Sequence, residues 1–98
     1  MSEKIRFDLG RLVATPGALA ALEASGQAPG DFLDRHARRD WGNVCAEDWA
    51  ANDAAVQDGG RILSAYKTLK GLKIWIITEA AADDGQRAAT TLLLPDEY

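Results

Sequence analysis

The only histidine in the sequence, His36, is the first candidate for acid–base chemistry. An imidazole titrates near neutral pH, so it can accept and return protons during a reaction. Its neighbours Arg35, Arg38 and Arg39 carry guanidinium groups, which bind phosphate well. Two interpretations stay open. His36 is either the base of a small RNase-toxin-like enzyme with the arginines on phosphate, or a histidine that packs or caps at a helix end.

Cys45 is the second side chain that could take part in chemistry, as a nucleophile. It stands near the predicted start of a helix, where a thiolate is stabilised, but Glu47 and Asp48 follow within one turn and disfavour that negative charge. We therefore predict that Cys45 is not catalytic, and we assign no catalytic residue. A single cysteine and a single histidine also fit none of the usual metal motifs, so the sequence predicts no metal site and no cofactor.

Acidic residues are concentrated in the middle of the chain. Residues 40–58 contain no base and five acids, which are Asp40, Glu47, Asp48, Asp53 and Asp58. Trp41 lies beside the first of them, and an exposed tryptophan next to charged groups is typical of a protein interface. We predict a protein-binding face formed by Asp40, Trp41, Glu47, Asp48 and Asp53. The alternatives are that the acids form a solvated helix face and that Trp41 folds back over the seam between helix and sheet.

The next segment is basic, because it holds no acid and the four bases Arg61, Lys67, Lys70 and Lys73. Lysines around a turn are typical of a strand pair with protected edges, and a small nucleic-acid contact with Tyr66 and Trp75 is the alternative. The whole chain has a net charge of −4, which argues against direct nucleic-acid binding. The expected partner is a host protein with a basic, nucleic-acid-binding surface.

The length of 98 residues, with 47% apolar, predicts a single domain over residues 1–98. No apolar run reaches the roughly 18 residues of a membrane span, and the first residues lack the apolar core of a secretory signal. We therefore expect a cytoplasmic protein that does not contact a membrane. The sequence leaves homo-oligomerisation open.

Helix signals lie in the first half of the sequence. Thr15-Pro16 is a typical start and Gly26 a typical stop, a second helix is expected from Pro29, and a third from about residue 46 to 57. Apolar residues at helical spacing predict the buried faces. These faces are expected to include Leu19 of the first helix and Trp49 of the third.

Strand signals follow at residues 61–68, 73–79 and 88–94, and Ile5, Phe7 and Leu9 form a weaker extended segment near the start. The run from Ile74 to Ile77 is apolar on both faces, so it predicts a central strand with Trp75 and Ile76 buried. Helices followed by strands indicate an α+β fold, with two or three short helices packed on a three- to four-stranded antiparallel sheet.

Six segments resemble, in this order, a family of short bacterial proteins that are mostly plasmid- or phage-associated. They are GRLVATPGALAAL, RHARRDWGNV, AEDWAANDAAV, ILSAY, KIWIITEA and TTLLLPDEY. The resemblance covers about residues 7–98, and the last two segments are the most specific. In the family a short turn containing Asp and Arg links these two segments, whereas here residues 81–87 form a longer link.

This resemblance implies a mobile-element setting and no established activity. Small acidic proteins of mobile elements often inhibit host defence complexes that bind nucleic acid. By that analogy the sequence predicts a non-catalytic inhibitor or accessory factor of the anti-CRISPR or anti-restriction type.

Overall fold

The computed structural model describes residues 7–98, which form three α-helices, four β-strands and a short 3₁₀ turn. In chain order they are β1 (Arg11–Ala14), α1 (Pro16–Ala24), α2 (Pro29–Ala37), α3 (Ala46–Asp58), β2 (Ile62–Lys67), β3 (Lys73–Thr78), β4 (Ala89–Leu93) and the turn Pro95–Glu97. The α+β class and the three C-terminal strands agree with the sequence prediction. Among the described helices none is both long and apolar enough to cross a bilayer.

The four strands form one sheet in the order β1-β4-β3-β2. β3 is antiparallel to both of its neighbours and is a central strand, as predicted, but β1 runs parallel to β4. The sheet is therefore mixed, and the prediction of a purely antiparallel sheet is wrong. The reason is that β1 has only four residues, most of them exposed, and lacks the alternation that announces a strand. Ile5, of the expected N-terminal extended segment, lies outside the described residues.

Local signals set the helix ends where the sequence placed them. The Thr15 hydroxyl accepts a hydrogen bond from the Ala18 amide at 3.1 Å, and Pro16 occupies the first turn of α1. At the C-terminal end of α3, Gly59 has a φ of 85° and its amide donates to the Ala55 carbonyl. A left-handed residue after a helix is favourable for glycine, which explains why α3 stops there.

The inner face of the sheet packs against α1 and α2 in one apolar cluster. Its buried members are Ala18, Ala21, Leu22, Phe32, Tyr66, Ile74, Ile76 and Leu92. A second, smaller cluster joins α3 to the start of β2 and consists of Trp41, Ala55 and Ile62, with Phe7, Val44 and Val56 packed against it. Two centres of apolar packing therefore lie on one side of the sheet.

Two expectations about burial are wrong, because Leu19 is 45% exposed and Trp49 is 37% exposed. Trp75 is partly buried and is not among the exposed large apolar side chains. Trp75 projects from the outer face of the sheet, whereas Ile76, on the inner face, is fully buried as predicted. Strand periodicity assigned the two faces correctly, but it could not tell how well each face is covered.

The free edge of β2 forms hydrogen bonds with residues 41–52, which belong to the acidic segment formed by residues 40–58. The side-chain amide of Asn52 donates to the Leu63 carbonyl at 2.7 Å and accepts from the Leu63 amide at 3.2 Å. Further along the strand, the Ala65 amide donates to the Trp41 carbonyl, and the Ala65 carbonyl accepts from the Asn43 amide. An edge strand with unpaired amides invites pairing with another chain. Residues 41–52 supply the missing partners along the first part of β2.

Gly42 allows this close approach. It has a φ of 77° and forms a parallel bridge with Ala65. A Cβ atom at this position would collide with the Ala65 carbonyl and with the ring of Tyr66. Only glycine combines the left-handed backbone with the absence of a side chain, so the contact between the acidic segment and β2 depends on it.

Replacing Asn52 by alanine is expected to lower the free energy of unfolding by about 2 kcal/mol, because it leaves both backbone groups of Leu63 without their partner. Urea denaturation measures the change. Gln57→Ala is the matched control, since it removes a similar amide from an exposed position of α3. If both substitutions lower the free energy of unfolding equally, the hydrogen bonds of Asn52 to Leu63 do not stabilise the edge of β2.

Candidate functional site

His36 lies on the inner side of α2, against the sheet, and has no exposed surface. Its Nδ1 atom lies 2.5 Å from the Ser64 hydroxyl of β2, and its Nε2 atom lies 2.8 Å from the Thr78 hydroxyl of β3. The rings of Phe7 and Trp41 pack against the imidazole edge-to-face. Both ring nitrogens are therefore occupied, and no ligand outside the protein can reach them.

The hydrogen-bond chain continues across the sheet and fixes the direction of each proton. Thr90 donates its hydroxyl proton to the Leu9 carbonyl at 2.6 Å, so it accepts at 2.7 Å from Thr78. Thr78 has then used its own proton and accepts one from Nε2 of His36. Ser64 consequently donates to Nδ1. The Leu9 carbonyl, at one end of this chain of hydrogen bonds, thus selects the neutral Nε2–H tautomer of the imidazole.

Burial lowers the pKa of His36 from its usual 6.5 to about 4. The charged imidazolium is penalised because the groups that contact it within residues 7–98 are hydroxyls and aromatic rings, without a carboxylate. The histidine is therefore neutral at physiological pH. This placement agrees with the interpretation of His36 as a packed residue, and it offers no exposed base to the enzyme interpretation.

Two of the three arginines near His36 contact other side chains and not the imidazole. Arg35 forms an ion pair with Asp40 at 2.8 Å and lies over the ring of Tyr66, 4.6 Å from its centroid. Arg39 has a left-handed φ of 69° at the end of α2 and lies 3.5 Å from Asp53. Two of the three arginines that could have held a phosphate are thus in contact with acids of the same chain.

Three of the five predicted binding residues, Asp40, Trp41 and Asp53, make side-chain contacts within the protein. The hydrogen bond from Arg35 holds the pKa of Asp40 below its usual value. Asp53 accepts a hydrogen bond from the Trp41 indole nitrogen at 3.0 Å, besides its contact with Arg39. Trp41 itself is fully buried, as expected if it folds back over the seam, and its side chain is therefore inaccessible to a partner. Asp40 and Asp53 stay half-exposed.

The other two predicted residues, Glu47 and Asp48, are exposed in the first turn of α3. Within residues 7–98 neither forms an ion pair or a side-chain hydrogen bond. Trp49 follows directly, so the protein does expose a tryptophan next to acids, but it is not the one that the sequence indicated. Alanines on every side of α3 give no apolar stripe that would have revealed its orientation.

Arg87 is a buried structural residue that the sequence analysis missed. Its guanidinium donates to the carbonyls of Ala55, Gly60 and Glu79 at distances of 2.8, 2.6 and 3.0 Å. These hydrogen bonds connect the C-terminal end of α3 to the link between β3 and β4. Nothing in the sequence marked it, because an arginine in a polar loop is usually at the surface.

An open cleft of about 530 Å³ lies on the outer face of the sheet. One wall is the segment that leads into α3, including the exposed Cys45, and the floor consists of outward-facing residues of β2 and β3. Since His36 is buried elsewhere with both nitrogens occupied, Cys45 has no imidazole partner. Its lack of a catalytic role remains a prediction.

Within the described part of the chain, no three His, Cys, Asp or Glu side chains converge as metal ligands. Comparison of the chain with protein-family models, with curated proteins and with solved structures gives no match.

Acidification from pH 6.5 towards pH 4 is expected to destabilise the protein through His36. In the unfolded chain the imidazole titrates near its usual value, whereas in the folded protein its pKa is about 4, so the unfolded state binds the extra proton first. The contribution of the neutral imidazole is complete above that window and is lost as the pH falls through it, at a cost of roughly 3 kcal/mol.

Urea denaturation across this pH window, for the natural protein and for His36→Gln, measures that contribution. Carboxylates with lowered pKa values, such as Asp8, Asp40 and Glu97, affect both proteins alike. The variant is expected to show a clearly smaller dependence of stability on pH. Equal dependence in the two proteins would mean that His36 titrates normally in the folded state.

Proposed function

We propose that the protein is a non-catalytic binding factor that presents an acidic surface at the start of α3 to a basic, nucleic-acid-binding surface of a host protein. The observation that carries the proposal is the exposure of Glu47 and Asp48, which have no charged partner within residues 7–98. Carboxylates that the fold does not neutralise remain available to steer a basic partner. We call these two residues the acidic turn.

Asp40 and Asp53 flank the acidic turn in a supporting role. Both are half-exposed and add negative potential, although Arg35 and Arg39 offset part of it. The contribution of Trp41 is indirect, since its indole holds Asp53 in place. Trp49, which is 37% exposed, is the aromatic side chain next to the acids that a partner can contact.

The acidic turn also has a local effect on stability. Negative side chains in the first turn interact favourably with the helix dipole, typically by about 0.3–1 kcal/mol at an exposed site. That effect explains one acid at the start of α3, but it does not require two adjacent acids followed by an exposed tryptophan. The binding role and the helix role are separable, because only the first depends on a partner.

The remaining parts of the proposal rest on the sequence. The resemblance to plasmid- and phage-associated proteins supports a mobile-element origin and an inhibitor of the anti-CRISPR or anti-restriction type. A cytoplasmic location is part of the proposal, because the proposed partner is a host protein that binds nucleic acid. The RNase-toxin-like alternative is not proposed, since its only imidazole is fully buried.

Reversing the charge of the acidic turn with Glu47→Lys and Asp48→Lys is expected to abolish capture of the partner from nuclease-treated bacterial lysate. Captured proteins are quantified by mass spectrometry for the natural protein and for the variant. The binding rate of the purified partner is then measured at low and moderate salt. Association should be fast and salt-sensitive for the natural protein only, because charged residues at the periphery of an interface act mainly on the association rate.

Glu23→Lys with Asp34→Lys is the matched control, because it makes the same change in net charge on exposed positions of α1 and α2. Asp53 is left unchanged, since it bonds to Trp41. Circular dichroism establishes that both variants fold. The proposal fails if the control variant loses the partner as well, or if the acidic-turn variant retains it.

A further inference from the structure

The cleft on the outer face of the sheet shares Asp48 with the acidic turn and is otherwise lined by different residues. Asn43, Val44 and Cys45 form one wall, and Leu63, Ala65 and Trp75 form the floor, with Lys67 and Lys73 at the far end. Its volume of about 530 Å³ falls within the roughly 300–1,000 Å³ typical of small-molecule sites. A concave site of this size suits a small ligand better than a protein surface.

Lys67 and Lys73 occupy an unfavourable arrangement. They are paired directly across the antiparallel strands β2 and β3, and both line the cleft. Like charges that face each other in this way destabilise a sheet. Within residues 7–98 neither lysine forms a salt bridge, so no carboxylate of the described chain relieves the repulsion. An anionic group bound between the two ammonium groups would do so.

Trp75 supplies the second element of recognition. It is half-buried, lies two residues from Lys73 on the same face of β3, and forms part of the floor. Its indole is held by an edge-to-face contact with the Tyr98 ring, with centroids 5.8 Å apart. Two residues along a strand span about 6.6 Å, so one small ligand can contact both the ring and the lysine pair. Indole rings bind nucleobases by stacking.

Asp48 contributes a carboxylate from the wall of the cleft that leads into α3. Its carboxylate lines the cleft at the first turn of α3 and has no hydrogen-bond donor of its own within the described chain. A carboxylate accepts hydrogen bonds from amino and imino groups and repels a second anion. The cleft therefore offers cations at one end, an aromatic platform in the middle and an acceptor on the other side.

We infer that this cleft binds a nucleoside monophosphate, with the phosphate between Lys67 and Lys73, the base on Trp75 and an amino group of the base at Asp48. The inference goes beyond the proposed binding of a host protein and does not depend on it. A single nucleotide needs only these few groups. It is compatible with the net charge of −4, which disfavours a longer nucleic acid.

Calorimetric titration with adenosine 5′-monophosphate tests the inference, with adenosine, ribose 5-phosphate and inorganic phosphate as partial ligands. We expect saturable binding of the nucleotide and at least about tenfold weaker binding of each partial ligand, because each lacks either the charge-assisted contacts or the stacked base. Backbone amide shifts in NMR spectra should localise the nucleotide to residues 43–48, 63–67 and 73–75.

Lys67→Ala and Lys73→Ala are each expected to weaken nucleotide binding by about tenfold. Lys70→Ala is the matched control, since Lys70 is an exposed lysine of the same hairpin that does not line the cleft. Trp75→Phe should retain weaker binding. The inference is overturned if the nucleotide does not saturate the protein or if ribose 5-phosphate binds equally well. Equal weakening by Lys70→Ala, or amide shifts elsewhere on the protein, would also overturn it.

Discussion

The two-sided hydrogen bonding of His36 is the interaction on which the rest of the fold depends. Ser64, Thr78 and Thr90 place three hydroxyls on the inner face of three adjacent strands, between two apolar clusters. Buried hydroxyls without partners are costly, and the imidazole satisfies two of them from α2. A shift of one residue in the pairing of a strand would turn its hydroxyl to the outer face of the sheet. The bonds to His36 therefore favour both the observed strand register and the observed position of α2 on the sheet.

The position of α2 in turn places the acidic segment. Arg35 and Arg39 at the end of the helix bond to Asp40 and Asp53, and the backbone between them lies along the edge of β2. Asp40 and Asp53 are thus paired with arginines of the same chain, whereas the acids at the start of α3 are exposed without such a partner in the described residues. Closing the edge and presenting the acids are two consequences of one chain path, which connects the core to the proposed binding surface.

How much of this could be read from the sequence depends on the range of each interaction. Caps and stops such as Thr15 and Gly59 are local, and the strands β2 to β4 follow from alternation, so the class of fold and most element ends were predictable. The parallel pairing of β1, the buried guanidinium of Arg87 and the contact of Trp41 with Asp53 join residues distant along the chain. No local pattern announces them. The candidate acids were proposed from local composition, whereas the exposure of Trp41 depends on such distant contacts and stayed open in the sequence.

The tautomer and the pKa of the His36 imidazole show whether its two hydrogen bonds exist in solution. Since His36 is the only histidine, its ring nitrogens give a single set of ¹⁵N signals in NMR spectra. The account predicts a neutral ring that is protonated on Nε2, with Nδ1 as a bare acceptor, and that remains so until the pH approaches its lowered pKa of about 4. A ring that averages both tautomers and titrates near its usual pKa of 6.5 would contradict the account, because such an imidazole is exposed and free to act as a base.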